Sequence, residues 1–121
     1  MFHPDTIALT IPYLLSGLKV TLLLAILIVP LAFGAGTLVA IVANARSRPA
    51  RLFAYLYIDF FRAFPPLVLI IFVFYALPFL GLRLPEIPAF VLAMTLNGSA
   101  YFAEIVRAGL AAVPKGQSEA A

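Results

Sequence analysis

The feature that most constrains this chain is an uncharged run of 26 residues, 20–45, between Lys19 and Arg46. A helix of that length is about 39 Å long, which exceeds the roughly 30 Å hydrocarbon core of a bilayer. Inside a bilayer the backbone polar groups must bond within the segment, and a helix achieves this. The run therefore predicts a transmembrane helix, which we expect over residues 14–44.

Pro30, Gly34 and Gly36 lie inside this run. They would weaken a soluble helix, but in a membrane helix neighbouring segments can bond the freed backbone groups. We interpret the two glycines as points of close packing against another helix. A kink in a substrate path is the alternative interpretation.

The composition and the first residues agree with a retained membrane segment. The chain is 64% hydrophobic and 11% charged, whereas soluble domains have roughly 45–50% apolar and about 25% charged residues. The start contains Asp5 and lacks a basic region, and the apolar run that follows is longer than that of a signal peptide. We expect a retained span.

A second uncharged run lies between Arg62 and Arg83. Its length is about that of a membrane-spanning helix, and we expect the span over residues 64–82. Pro65 and Pro66 near its beginning predict that a helix restarts there, because proline fits the first turn of a helix and disrupts its interior.

A third run, 87–103, has 17 uncharged residues and is followed by Glu104 and Arg107. A span over residues 87–108 is long enough if these charged side chains reach the interface. The expected fold class is therefore all-α, a multi-span transmembrane helical protein with three spans in this chain.

Two pairs of opposite charges lie three residues apart, Asp59 with Arg62 and Glu104 with Arg107. At this spacing side chains share one helix face, so we predict that both pairs are structural ion pairs. Segment 51–64, which holds the first pair, mixes aromatic and charged residues and suits the headgroup zone of a membrane.

The centre of the third span is unusually polar, with Thr95, Asn97 and Ser99 near the expected bilayer midplane. Buried polar groups at this depth need partners from protein or trapped water. At 100° per residue, six residues share one helix face that should not meet lipid. They are Ala93, Asn97, Ala100, Tyr101, Glu104 and Ala108. Packing against another helix and lining a permeation route both explain this face.

The basic residues predict the orientation. The connection between the first two spans holds Arg46, Arg48, Arg51 and Arg62, whereas the next connection holds one arginine and one glutamate. Cytoplasmic loops carry the excess of Lys and Arg. We therefore expect the first loop and the C-terminal end to be cytoplasmic and the N-terminus to lie outside the inner membrane.

Several chemistries are absent from the sequence. Cysteine is missing and His3 is the single histidine, so we predict no metal site and no nucleophile–base set. A phosphate-binding glycine loop is also missing, so ATP energy would have to come from a partner. The basic residues form no dense run that would suggest nucleic acid. We predict that the chain is not an enzyme.

Three stretches resemble the permease subunits of polar amino-acid ABC importers, the histidine/glutamine type. These stretches are SGLKVTLLLAI (16–26), IDFFRAFPPLVLIIFVFYALP (58–78) and NGSAYFAEIVRAGLAAVPKGQSEAA (97–121). The last of these is the most specific. Where the family commonly has Gly-Thr-Pro after FFR, this chain has Ala63, Phe64 and Pro65.

The resemblance implies an ABC importer permease-like fold of about five spans, three of them present here. It implies transport of a polar amino acid across the cytoplasmic membrane and no cofactor bound by this chain, since ATP is bound by a partner. The implied partners are a second permease subunit, a dimer of ATP-binding subunits and an extracytoplasmic solute-binding protein, besides the lipid bilayer.

The resemblance also implies roles for residues near the end of the chain. Segment 113–121 resembles the start of the family's cytoplasmic EAA loop, which docks on the ATPase, so the chain resembles the N-terminal half of such a permease. The implied coupling residues are Lys115, Gly116, Gln117 and Glu119. Asn97, Ser99 and Tyr101 are our candidates for the translocation path.

Two other functions compete with transport by a permease. A small membrane interaction or assembly subunit would use small-residue faces without moving a solute. A compact secondary transporter would need internal repeats, and the spans show no repeated pattern. We also predict that these 121 residues are unstable or inert unless another chain completes the bundle, because Asn97 and its neighbours would lack partners.

Overall fold

The computed structural model describes residues 3–114, 116 and 120. Residues 3–114 contain four α-helices, which confirms the all-α prediction. They are α1 (Pro4–Ala43), α2 (Arg48–Ala63), α3 (Pro66–Ile71) and α4 (Glu86–Ala111). A π-helical turn, Phe72–Ala76, and a 3-10 turn, Leu77–Leu80, prolong α3.

By length and composition, α1 and α4 can each cross a membrane, and α2 with the prolonged α3 forms a third candidate that is bent by 100°. The 40 residues of α1 begin ten positions before the predicted residue 14. The predicted span 64–82 has the bend at its first residues, and α4 contains the predicted span 87–108. Which residues lie in the bilayer stays a prediction.

The directions of three helices follow from their contacts. Leu24 and Phe90 line one cavity, and twelve residues later Gly36 lies against Ala103, so α1 and α4 run parallel. Leu69 lines a cavity with Leu96 and Phe74 lines one with Glu86, so α3 runs antiparallel to α4. Helix α2 lies at a steep angle to α3, because their axes differ by 100°.

The contact between α1 and α4 is built from small residues. Their shared surface lets the two backbones approach closely, as is usual where helices associate in lipid. The buried residues of α1 are Ala32, Gly36, Ala40 and Ala43. A Cβ atom on Gly36 would lie 2.6 Å from the carbonyl oxygen of Ser99 and 2.7 Å from Cβ of Phe102.

The prediction of close packing is therefore confirmed for Gly36. It is wrong for Gly34 within the described part of the chain, because Gly34 is exposed and a Cβ atom placed on it would have no neighbour within 4 Å. The two glycines are two positions apart, which places them about 200° apart around the helix. Only one of them can face α4.

Prolines and a glycine shape the end of the prolonged α3. Pro78 has no amide hydrogen for the carbonyl of Phe74. Around this point the helix changes from α to the π-helical turn and then to the 3-10 turn. Gly81 ends it with a φ of 86°, a left-handed conformation that glycine adopts without steric cost. The amide of Leu82 donates to the carbonyl of Leu77 at 3.1 Å, which closes the helix end.

Most large apolar side chains point outward. Leu9, Leu14 and Ile26 of α1 are more than 60% exposed, whereas the buried core is small and centred on Leu69 and Ala93. Such large exposed apolar surfaces are found where a protein meets lipid or other helices. The outer surface therefore fits a membrane environment.

Candidate functional site at the break in the second span

The chain breaks between α2 and α3, at Phe64 and Pro65, where the two helix axes differ by 100°. In a continuous helix the amides of residues 65 and 66 would donate to the carbonyls of Phe61 and Arg62. Both positions are proline, which has no amide hydrogen. The predicted restart of a helix at this point is confirmed, because α3 begins at Pro66.

Asn97 of α4 supplies one of the missing donors. Its side-chain Nδ2 donates to the carbonyl of Phe61 at 3.1 Å and to that of Phe64 at 3.4 Å, and the side chain is buried. Asn97 is 11 residues from the first residue of α4 and 14 from the last, or about 16 Å and 21 Å. The break therefore lies at the depth of the middle of α4.

Tyr101 supplies the other donor from the next turn of α4. Its hydroxyl donates to the carbonyl of Arg62 at 3.4 Å. Asn97 and Tyr101 are four residues apart and so lie on the same helix face. We call them the capping pair, because together they bond the two carbonyls that Pro65 and Pro66 leave without amides.

Ser99 makes a second polar contact between α2 and α4. Its hydroxyl donates to the carbonyl of Leu96 at 2.8 Å, so the hydroxyl of Tyr57, 2.6 Å away, acts as the donor to Ser99. The side chain of Ser99 is fully buried. By contrast, the buried Oγ1 atom of Thr95 has no hydrogen-bond partner among the described residues.

The charged residues form one ion pair within the described ranges. Arg107 donates from Nε to Glu104 Oε2 at 3.1 Å and makes a second contact from Nη2 to Oε1. This confirms the predicted pairing of Glu104 with Arg107. The guanidinium carbon of Arg107 also lies 5.8 Å from the centroid of the Tyr55 ring.

The predicted pairing of Asp59 with Arg62 is absent from residues 3–114, so this prediction is wrong there. Asp59 and Arg62 are both exposed. The guanidinium of Arg62 lies instead over the ring of Tyr101, 5.5 Å from its centroid. Tyr101 is held at this position because its hydroxyl bonds the backbone of Arg62. The guanidinium of Arg62 thus contacts the ring of Tyr101 instead of the carboxylate of Asp59 that the sequence predicted.

An apolar cavity of about 260 Å³ lies inside the bend. Its walls come from both arms of the broken span and from α4. The lining residues are Phe60, Phe61, Phe64, Val68, Leu69, Phe72, Val73, Leu77, Leu92 and Leu96. Phe61 of the first arm packs against the core cluster that contains Leu69 and Val73 of the second arm, and the capping pair bonds the backbone at the bend.

The candidate path residues differ in exposure. Asn97 and Ser99 are 5% and 0% exposed, whereas Tyr101 is 44% exposed. Of the candidate coupling residues, Gly116 is exposed with open space around it. Lys115, Gln117 and Glu119 lie outside the described residues.

Tyr57 and the carbonyls of Phe61 and Arg62 were not assigned to any site from the sequence. A signal for the carbonyls was present, since two successive prolines remove the amide partners of two successive carbonyls. Tyr57 carried no such signal, because an aromatic residue in a segment of aromatic residues does not reveal its partner.

A helical bundle with an apolar outer surface, a broken central span and polar contacts at mid-depth defines an α-helical integral membrane protein. A family model described as the binding-protein-dependent transport system inner membrane component matches residues 32–121. The chain belongs to this family of membrane transport components.

Similar proteins include amino-acid permeases. An arginine transport system permease protein of Bacillus subtilis is 35% identical over 92% of this chain and 51% of its own length. A protein of Rickettsia conorii whose name carries the words glutamine transport system permease is 36% identical over 90% of this chain and 50% of its own length.

One solved structure is also similar. A crystal structure described as an amino acid ABC transporter with histidines matches 99% of this chain and 56% of that chain, with a TM-score of 0.90 and 35% identity. This chain spans about half the length of the curated relatives that it matches. It shares its fold with the matched 56% of the solved structure.

Proposed function

We propose that this chain forms part of the permease of an ABC importer that moves a polar amino acid across the cytoplasmic membrane. The observation that carries the proposal is the match to an amino acid ABC transporter at a TM-score of 0.90 and 35% identity over 99% of the chain. Relatives named for arginine and glutamine transport support the substrate class. ATP is bound by a separate protein, and this chain needs no cofactor.

The break in the second span is the part of this chain that changes during transport. Alternating access moves helices around a site inside the membrane, and discontinuous helices commonly form such sites. The capping pair and Ser99 connect the broken span to α4, so a movement of either arm must change these contacts. Tyr101, the most exposed of the three, faces the translocation path.

The proposed partners are a second permease subunit, a dimer of ATP-binding subunits and an extracytoplasmic solute-binding protein. Because α1 and α4 run parallel, the C-terminal end lies on the same side as the connection between α1 and α2. Arg46 in that connection and Arg48 at the start of α2 are both exposed, which favours a cytoplasmic position. The N-terminus then lies outside, and Lys115, Gly116, Gln117 and Glu119 contact the ATPase.

The test is ATP-dependent uptake of radiolabelled histidine, arginine and glutamine by the assembled transporter in proteoliposomes. We expect uptake of at least one of them, and we expect Glu119→Lys to abolish it because the reversed charge opposes the docking contact. Asp5→Lys is the matched control, since Asp5 lies in the first turn of α1, on the proposed outer side, and should leave uptake intact.

Two results would contradict the proposal. Uptake that is unaffected by Glu119→Lys would remove the coupling role of segment 113–121. Stable assembly with other membrane subunits but no uptake of any amino acid would favour the alternative, a membrane assembly subunit without transport activity.

A further inference from the structure

Arg62 carries a positive charge at the middle depth of the bundle. It lies in the last turn of α2, and its carbonyl accepts the hydrogen bond from Tyr101. Tyr101 is 15 residues from the first residue of α4 and 10 from the last, or about 22 Å and 15 Å. With α4 crossing a bilayer about 30 Å thick over the predicted residues 87–108, the guanidinium lies within the hydrocarbon layer.

No carboxylate among residues 3–114, 116 and 120 lies within ion-pair distance of Arg62. Asp59, one turn earlier on α2, makes no ion pair with it. Glu104 of α4 interacts with the charge of Arg62 only at longer range and is bound directly by Arg107. The side chain of Arg62 is exposed. Because charged side chains inside a membrane almost always face a bundle interior or a water-filled cavity, the exposed side of Arg62 does not face lipid.

Two features hold the guanidinium in place. The ring of Tyr101 lies 5.5 Å from it, a distance at which a cation and an aromatic face attract each other. The C-terminal end of α2 also favours a positive charge, because the helix dipole is negative there. The hydroxyl of Tyr101 also donates to the carbonyl of Arg62 at 3.4 Å, so Tyr101 contacts both the backbone and the guanidinium of the same residue.

We propose that Arg62 binds the α-carboxylate of the transported amino acid and that Tyr101 is its positioning residue. The inference rests on the proposed function. Every α-amino acid presents a carboxylate, and a guanidinium binds carboxylates through two parallel hydrogen bonds. The break in the span brings this side chain to mid-depth with its charge still available to a ligand.

The test measures binding to the assembled transporter in nanodiscs without the solute-binding protein, so that affinity reflects the membrane site. The probes are histidine and arginine together with their decarboxylated counterparts, histamine and agmatine. We expect Arg62→Gln to weaken amino-acid binding at least tenfold and to leave amine binding within twofold. Arg62→Lys should retain part of the preference for the amino acid, because the charge remains without the fork.

Arg48→Gln is the matched control, because Arg48 is an exposed arginine at the other end of the same helix. It should leave both affinities unchanged. Tyr101→Leu removes the ring and should weaken amino-acid binding several-fold while amine binding stays constant. This selective loss distinguishes a positioning role from a general loss of structure, which would lower both affinities.

The inference is overturned if Arg62→Gln binds the amino acid with unchanged preference over the amine. It is also overturned if Arg62→Gln and Tyr101→Leu both prevent subunit assembly, since Arg62 would then pair with a carboxylate of a second subunit. If the wild-type transporter neither binds nor takes up any amino acid, the proposed function itself is wrong. The wild-type measurement thus separates the two failures.

Discussion

Helix α4 makes two different contacts, one with α1 and one with α2. On the α1 side, Gly36 approaches the backbone of α4 so closely that no side chain fits between them. On the α2 side, the helices are joined by side-chain hydrogen bonds from Asn97 and Tyr101 to backbone carbonyls. One contact depends on the absence of side-chain atoms and the other on the presence of polar ones.

The difference follows from the solvent. In lipid there is little hydrophobic gain when two helices meet, so association depends on close packing and on hydrogen bonds. The contact with α1 relies on close packing, which can be continuous because α1 is unbroken from Pro4 to Ala43. The contact with α2 needs hydrogen bonds, because Pro65 and Pro66 leave carbonyls that lipid cannot bond. Helix α4 is thus joined to an unbroken helix by close packing and to a broken one by hydrogen bonds.

The largest effect should come from the α1 side. Gly36→Ala places a Cβ atom 2.6 Å from the carbonyl oxygen of Ser99, so the helices must separate, and we expect a loss of about 3 kcal/mol in the free energy of unfolding. The measurement is an SDS titration in mixed micelles. Gly34→Ala, with open space around it, should stay within about 1 kcal/mol of the wild type. Equal losses in the two variants would refute the close contact.

The second effect concerns Asn97. Asn97→Leu leaves the carbonyls of Phe61 and Phe64 without their side-chain donor, and we expect a loss of about 1–2 kcal/mol. Thr95→Val is the control, because the Thr95 hydroxyl has no partner in the described residues, and this change should be neutral or stabilising. The same titration compares them. A more harmful Thr95→Val would mean that the capping pair does not secure the break.

The third effect tests the bond between Tyr57 and Ser99. In a double-mutant cycle of Tyr57→Phe with Ser99→Ala, we expect a coupling energy of about 0.6 kcal/mol, the average for hydrogen bonds between membrane helices. The cycle of Tyr13→Phe with Ser99→Ala is the control, since Tyr13 is 80% exposed on α1, and its coupling should be zero. Zero coupling in both cycles would show that this contact adds nothing to the α2 side.

The smallest effect should come from Tyr101→Phe. This change removes the long 3.4 Å hydrogen bond to Arg62 but keeps the ring that contacts the guanidinium. We expect a loss of no more than about 0.5 kcal/mol, seen in the same titration. A loss as large as that for Asn97→Leu would contradict this prediction, because the two members of the capping pair would then contribute equally to stability.

The all-α fold was predicted from the sequence, because membrane helices are signalled by long uncharged runs. The helix bounds were predicted less closely, since α1 begins ten residues before the predicted span. The restart at Pro66 and the close contact of Gly36 were predicted from single residues with strong backbone effects. The 100° bend was not predicted, since proline shows that a helix is interrupted but not how its arms pack. The pairing of Asp59 with Arg62 was expected from spacing alone, which takes no account of a ring on another helix.

The sequence by itself determined that the chain is helical and that two carbonyls in the second span lack amide donors, because both properties depend on local covalent structure. Only the tertiary structure decided that Asn97 and Tyr101 bond these carbonyls and that Arg62 keeps its charge unpaired among the described residues. These outcomes depend on which side chains from a helix more than thirty residues away reach the break. The packing of the helices in space, and not separation along the sequence, determines which side chains bond the carbonyls at the break.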